Sequence, residues 1–193
     1  AYRKAYGAAE RIAEGRPEAA VDNPLTGPFV IKKDYAKTVD DFYTEREKLN
    51  QKLHSAKLAG SAPADLIDRA HNFEDYSELM TELYGPIKGE HNSDKRFEYE
   101  KYIVGLSRAA MGKEPLERYP NPLTVNRSTL PPEVAKIRRD YMERLRKRLK
   151  ENLGARKPTE STADYKQRRE NHISLRRRSL AQLREISQSA AAP

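Results

Sequence analysis

The sequence predicts an all-α protein made of two related modules, each with a short helix, a proline-rich extended arm and an antiparallel helical hairpin. Apolar residues recur at helical spacing, and no segment shows the alternation of Val, Ile and Thr that is typical of a strand. Short matches also recur at nearly one offset along the chain, which indicates an internal repeat. We expect an elongated molecule with an acidic module over residues 1–90 and a basic module over residues 91–193.

The repeat is clearest in one tetrapeptide. Asn23-Pro24-Leu25-Thr26 reappears 98 residues later as Asn121-Pro122-Leu123-Thr124, and Gly7 and Gly105 keep the same spacing. Further matches lie 99 residues apart, among them Ala36-Lys37 with Ala135-Lys136, and Arg69 with Arg168. These matches predict two helical modules of similar plan.

The first module is predicted to begin with a helix over residues 2–14 and an arm over residues 16–33, where Pro and Gly interrupt regular structure. A long helix follows over residues 34–58, with apolar side chains spaced along one face: Tyr35, Val39, Phe42, Leu49 and Leu53. A second helix runs from about residue 63 to residue 84, and its apolar face holds Leu66, Ala70, Phe73, Met80 and Leu83.

The second module follows a linker over residues 85–95. We expect a short helix that ends at Gly112, an arm over residues 113–130, and a helix that starts at Pro131-Pro132 with Ser128 or Thr129 as its cap. The predicted seam of that helix is Val134, Ile137, Tyr141, Leu145 and Leu149. Ser161 with Asp164 resembles a capping box, and a last helix extends to about residue 187.

Charge is distributed unevenly between the two halves. Residues 1–98 carry 15 Lys and Arg against 18 Asp and Glu, whereas residues 99–193 carry 22 against 11. The second half therefore suits a polyanion, an acidic protein surface or anionic lipid head groups. An alternative is that the two halves simply attract each other.

Two arginine-rich runs are the strongest functional signal, because closely spaced guanidinium groups bind both phosphates and carboxylates. Tyr141 and Tyr165 lie within or beside these runs and could stack on bases. A solvated or protein-facing surface is the equally weighted alternative. The predicted partner- or polyanion-binding residues are Arg138, Arg139, Arg144, Arg146, Lys147, Arg148, Arg168, Arg169, Arg176, Arg177 and Arg178.

The two tetrapeptide arms are the second signal. Stiff proline segments lose little entropy on docking, so we expect each arm to lie extended over a neighbouring subunit. The alternative is a local turn in which Pro fixes the backbone and Asn caps it. The predicted arm contacts are Asn23, Pro24, Leu25, Asn121, Pro122 and Leu123.

Catalytic, cofactor-binding and metal-binding patterns are missing from the sequence. There is no Cys, and the four His residues (His54, His71, His91 and His172) show no short-spaced ligand pair. No nucleophile elbow, phosphate-binding loop or dinucleotide fingerprint occurs. We therefore expect no enzyme activity, no cofactor and no metal, and no transmembrane segment, because no apolar run approaches the ~20 residues of a membrane span.

Part of the first module resembles the LYR-type small mitochondrial helical proteins. Tyr2-Arg3 lies in the first predicted helix, Phe42 in the second, and Pro63 with Leu66 opens the third, although no Leu precedes Tyr2-Arg3. Those proteins have three helices, and several are accessory or assembly subunits of respiratory complexes. The resemblance therefore implies a three-helical first module with a role of that kind. It covers only a few positions, and we do not assign the chain to that family.

The first residues guide the expected location. The chain opens with Ala1, and its first 20 residues contain Glu10, Glu14 and Glu18, which transit peptides avoid. We interpret them as mature sequence after a removed presequence, and expect a mitochondrial protein that is soluble or peripheral to the inner membrane. The expected function is a non-catalytic structural subunit of an ATP synthase or respiratory-chain complex that contacts other protein subunits, with anionic lipid head groups as a further candidate partner. The alternative is a mitochondrial ribosomal protein whose basic half binds rRNA.

Overall fold

The structure, a computed structural model, describes the backbone of residues 27–191 and the side chains of residues 35–190. Within this range the chain forms five α-helices and no β-strand, which confirms the all-α prediction for the described residues. Two short 3-10 turns, Gly85–Ile87 and Arg127–Thr129, lie between helices. The helices are α1 (Gly27–Leu58), α2 (Ala64–Tyr84), α3 (Ser93–Ala110), α4 (Pro132–Lys150) and α5 (Thr162–Ala191).

Helix α1 begins seven residues earlier than the sequence predicts, at Gly27 instead of residue 34. We predicted an extended arm there because Pro28 lacks an amide donor. The first turn of a helix leaves its amides unpaired in any case, so Pro28 next to the start is compatible with helix. The predicted helix at residues 2–14 and the first tetrapeptide lie outside the described residues.

Helix α2 packs against each of the other four helices. On one side it meets α1 and α3, which also pack against each other, and on the other side it meets the α4–α5 pair. One continuous cluster of buried apolar side chains includes members from all five helices, from Phe42 in α1 to Ile186 in α5. Helix α3, which we assigned to the basic module, thus packs mainly against the acidic one, and the division of the chain at residue 90 stays a prediction.

The predicted apolar faces of α1 and α2 are largely confirmed. Phe42 is fully buried and stacks on Phe73, with ring centroids 5.1 Å apart. Ala70, Met80 and Leu83 of α2 are buried as well. In α5, Ile186 is buried, whereas Leu180 is 40% exposed.

Local capping interactions fix several helix starts. The predicted Ser161 cap of α5 is confirmed, since its Oγ accepts a hydrogen bond from the backbone N–H of Asp164 at 3.1 Å. The predicted cap of α4 was wrong: Pro131 occupies that position without a side-chain bond, and Thr129 instead donates to the backbone carbonyl of Asn126 at 2.8 Å. Asn92, which we placed in a linker, caps α3 by accepting two backbone N–H groups.

Candidate functional site

Helix α2 carries a row of carboxylates on the side that faces α4 and α5. The acidic row consists of Asp68, Asp75 and Glu82, which are spaced seven residues apart. Seven residues are close to two helical turns, so the three side chains lie on one face. Each is partly or fully buried, and each pairs with arginine from the second half of the chain.

Two arginines of α4 pair with Asp75 and Glu82 of this row. The Nη1 atom of Arg148 lies 3.0 Å from Oδ1 of Asp75, and Nη2 of Arg144 lies 2.5 Å from Oε1 of Glu82. Arg144 and Arg148 are four residues apart and thus share one face of α4. Both were predicted to bind an external partner, but they contact the chain's own carboxylates.

Two arginines of α5 complete the contact. Arg177 binds Asp68 with Nε at 2.8 Å, and the hydroxyl of Ser174 donates to the same carboxylate at 2.6 Å. Arg178 is only 6% exposed and places Nη2 3.7 Å from Oδ2 of Asp75. Asp75 is therefore shared by arginines from α4 and α5.

A neutral hydrogen-bond chain runs beside these ion pairs. The hydroxyl of Tyr141 donates to Oε1 of Gln182 at 3.0 Å, and Nε2 of Gln182 donates to Oδ1 of Asn72 at 3.1 Å. Tyr141 is 2% exposed, and burial raises the pKa of its hydroxyl. Its predicted role as a base-stacking side chain is wrong, because the ring belongs to the protein core.

Burial opposes charge in this contact. The pKa of Glu82 is raised because its partial burial outweighs the attraction of Arg144. The pKa of Arg178 is lowered, chiefly by burial, even though Asp75 and Asp68 act in the opposite direction. Taking charges out of water offsets much of what ion pairing returns, so these pairs orient α4 and α5 on α2 more than they stabilise the packing.

Two further arginines are also held by the chain itself. Arg138 is buried and donates from Nη1 to the backbone carbonyl of Val125 at 2.6 Å. Arg168 forms a two-pronged pair with Glu160, with Nε to Oε1 at 2.8 Å and Nη2 to Oε2 at 2.9 Å. Its guanidinium also lies 5.3 Å from the ring centroid of Tyr165. These contacts remove five of the predicted residues from the external surface: Arg138, Arg144, Arg148, Arg168 and Arg178. Arg177 pairs with Asp68, but its side chain stays 52% exposed.

The remaining predicted cations point outward. Arg139, Arg146, Lys147, Arg169 and Arg176 are exposed. Of these five, only Arg139 lies within ion-pair distance of a carboxylate in the described part of the chain, at 3.8 Å from its sequence neighbour Asp140. On α4 the exposed cations share one side, which we call the outward basic face: Lys136, Arg139, Arg146, Lys147 and Lys150. Glu143 is the one carboxylate at matching positions of α4.

The second tetrapeptide lies inside the protein. Pro122 and Leu123 are buried, and Oδ1 of Asn121 accepts the backbone N–H of Leu123 at 3.0 Å. The backbone approaches α3 so closely that a Cβ at Gly105 would lie 2.3 Å from the carbonyl oxygen of Pro120. The prediction that Asn121, Pro122 and Leu123 lie across a neighbouring subunit is wrong, since they form a local turn packed on the chain's own core. Asn23, Pro24 and Leu25 lie outside the described residues.

Two histidines that are distant in the sequence line the same cavity. His71 of α2 and His172 of α5 line a cavity of about 510 Å³, together with the loop between α4 and α5. Burial, followed by the nearby charge of Arg178, lowers the pKa of His71. No three side chains of the described part of the chain are placed to hold a metal ion.

Comparisons with known proteins do not extend these observations. No family model, curated protein or solved structure matches this chain. In the part of the chain that the structure describes, none of the helices combines the length and the apolar character that crossing a bilayer requires.

Proposed function

We propose that this protein is a non-catalytic structural subunit of a large mitochondrial assembly, such as an ATP synthase or respiratory-chain complex. The outward basic face of α4 binds an acidic surface of a neighbouring subunit. One observation carries this proposal: α4 directs Arg144 and Arg148 to the chain's own carboxylates, whereas Arg146 and Lys147, between them, have no ion-pair partner in the described structure.

The outward basic face is chemically suited to a protein surface rich in carboxylates. An arginine guanidinium pairs with carboxylates through two parallel hydrogen bonds, as Arg46 does with Glu74 inside this protein. Five cations along one side of a helix of 19 residues would meet an acidic partner in a fixed register. Such pairs accelerate encounter and select the partner, while the apolar core holds the fold.

The two-module arrangement and the mitochondrial location belong to this proposal. In this proposal the helical hairpins provide the scaffold. The first arm, with Asn23-Pro24-Leu25, still lies across a neighbouring subunit, whereas Asn121-Pro122-Leu123 does not. The alternative remains a mitochondrial ribosomal protein that binds rRNA phosphates. The exposed cations suit phosphates equally well, but Tyr141 is unavailable for stacking on bases.

The test is fractionation of cells that produce the tagged protein. We expect the unaltered chain in a mitochondrial complex on native gels, and the double variant Arg146→Glu with Lys147→Glu as free protein. Lys37→Glu with Lys52→Glu changes the charge equally on exposed positions of α1 and should stay in the complex.

Equal behaviour of the two double variants would contradict the role of the outward basic face. Migration with ribosomes would favour the ribosomal alternative. Recovery outside mitochondria would contradict the proposed location.

A further inference from the structure

Helix α5 has an exposed row that combines cations with aliphatic side chains. The α5 outward row advances in steps of three or four residues, so its members share one face of the helix. Ile173 and Leu180 are 50% and 40% exposed, which makes them two of the most exposed large apolar side chains of the described structure. The row consists of Lys166, Arg169, Ile173, Arg176, Leu180 and Arg184.

The cations of this row have no acidic partner among the described residues. None of the four lies within ion-pair distance of a carboxylate in the described part of the chain. Glu170 lies beside the row, next to Arg169, without pairing with it. Arg178, on the far side of α5, is buried and meets Asp75 of the acidic row. Arg177 borders the outward row, but it pairs with Asp68 of α2.

We propose that the α5 outward row lays this helix on an anionic lipid surface. Ile173 and Leu180 enter the boundary between head groups and acyl chains, and the flanking cations pair with lipid phosphates and carboxylates. Lys and Arg stems are long enough to follow the aliphatic side chains inward while their charges stay among the head groups. The row spans roughly 27 Å at 1.5 Å per residue, so one helix contacts many lipids at once.

The aliphatic side chains distinguish a membrane from a nucleic acid. A phosphate backbone would be served by the four cations alone and would leave Ile173 and Leu180 exposed to water. Neither of the tyrosines near the arginine runs offers a free ring, since Tyr141 is buried and Tyr165 faces Arg168. This inference concerns α5, whereas the proposed docking to a protein subunit concerns α4, so each can fail without the other.

The experiment is co-sedimentation of the full chain with phosphatidylcholine vesicles that contain or lack phosphatidylserine. We expect binding only with phosphatidylserine, and release by salt. Arg169→Gln with Arg176→Gln should weaken binding about 25-fold, about fivefold per charge. Ile173→Ser with Leu180→Ser should weaken it about tenfold at unchanged charge. The control, Lys37→Gln with Lys52→Gln, should bind like the unaltered chain.

Several outcomes would overturn the inference. They include failure of the unaltered chain to bind phosphatidylserine vesicles, and binding that the Ile173 and Leu180 substitutions leave unchanged. Binding of bulk RNA without vesicle binding would assign the cations to a nucleic acid instead. Circular dichroism of each variant verifies that the exposed substitutions leave the fold intact.

Discussion

Arg168 is held in place by the loop that connects α4 to α5. It pairs with both carboxylate oxygens of Glu160, and its Nη1 donates to the backbone carbonyl of Leu153 at 2.6 Å. The hydrogen bond from Arg168 is the main reason that the pKa of Glu160 is lowered to about 2. A side chain that the sequence suggested for polyanion binding thus acts as a clamp on a connection.

Replacing Arg168 should change how Glu160 titrates. A carboxylate with a lowered pKa stabilises the fold above its ordinary pKa of about 4.3, and this contribution is lost as the pH falls towards 2. Arg168→Gln should return the pKa of Glu160 towards its ordinary value, as measured by NMR of the carboxyl carbon. Arg156→Gln is the control, since Arg156 donates to the backbone carbonyl of Glu160. An unchanged titration in Arg168→Gln would contradict the clamp.

Gly105 permits the closest approach between α3 and the second arm. A Cβ at this position would lie 2.3 Å from the carbonyl oxygen of Pro120 and 2.6 Å from that of Tyr119. Both are backbone atoms, so they cannot move aside by a change of rotamer. The sequence repeat pairs Gly105 with Gly7, but it does not explain why a glycine is needed. The reason is that the backbone of Tyr119 and Pro120 packs directly against α3 at this position.

Gly105→Ala should therefore destabilise the protein by about 1–3 kcal/mol, because the added methyl group forces the arm away from α3. Gly85→Ala is the matched control: Gly85 has helical backbone angles and no atom within 4 Å of the added carbon. Denaturant unfolding measures both. Equal stability of the two variants would show that the arm does not press on Gly105.

At the scale of elements, α2 has an apolar side and an acidic side. Its apolar side was predictable, because Ala70, Phe73 and Leu83 follow the helical period. The acidic row was not predicted, because carboxylates on a helix are ordinarily expected on its solvent-exposed side. The seven-residue spacing of Asp68 and Asp75 was present in the sequence, but it does not reveal which arginines lie opposite.

The acidic row gives a prediction about buried charge. Asp75→Asn removes the counter-charge of Arg148 and Arg178, so it should cost about 3–5 kcal/mol in the free energy of unfolding. Asp41→Asn makes the same chemical change in an exposed pair with Lys113 and should cost less than about 1 kcal/mol. Equal losses in chemical denaturation would show that Asp75 is not a buried partner.

At the scale of the whole molecule, the halves share one apolar core, and ion pairs between α2 and the helices α4 and α5 fix how they pack on each other. The all-α class and most helices were predictable from local periodicity. The contacts between the halves were not, because they join residues more than 60 positions apart, such as Glu82 with Arg144. Net charge alone could not separate the arginines that face inward from those that face outward. These contacts agree with the alternative interpretation of the charge asymmetry, in which the acidic and basic halves attract each other.

The inward arginines of α4 fix how this helix packs on α2, whereas its outward cations face away from that contact. Arg148 and Arg146, two residues apart in α4, test this difference directly through the free energy of unfolding of their charge-reversed forms. Arg148→Glu places a carboxylate beside Asp75 and should lose about 3–5 kcal/mol. Arg146→Glu lies on the exposed side and should stay within about 0.5 kcal/mol of the unaltered chain. Equal losses from both, or a larger loss from Arg146→Glu, would show that α4 does not separate an inward Arg148 from an outward Arg146.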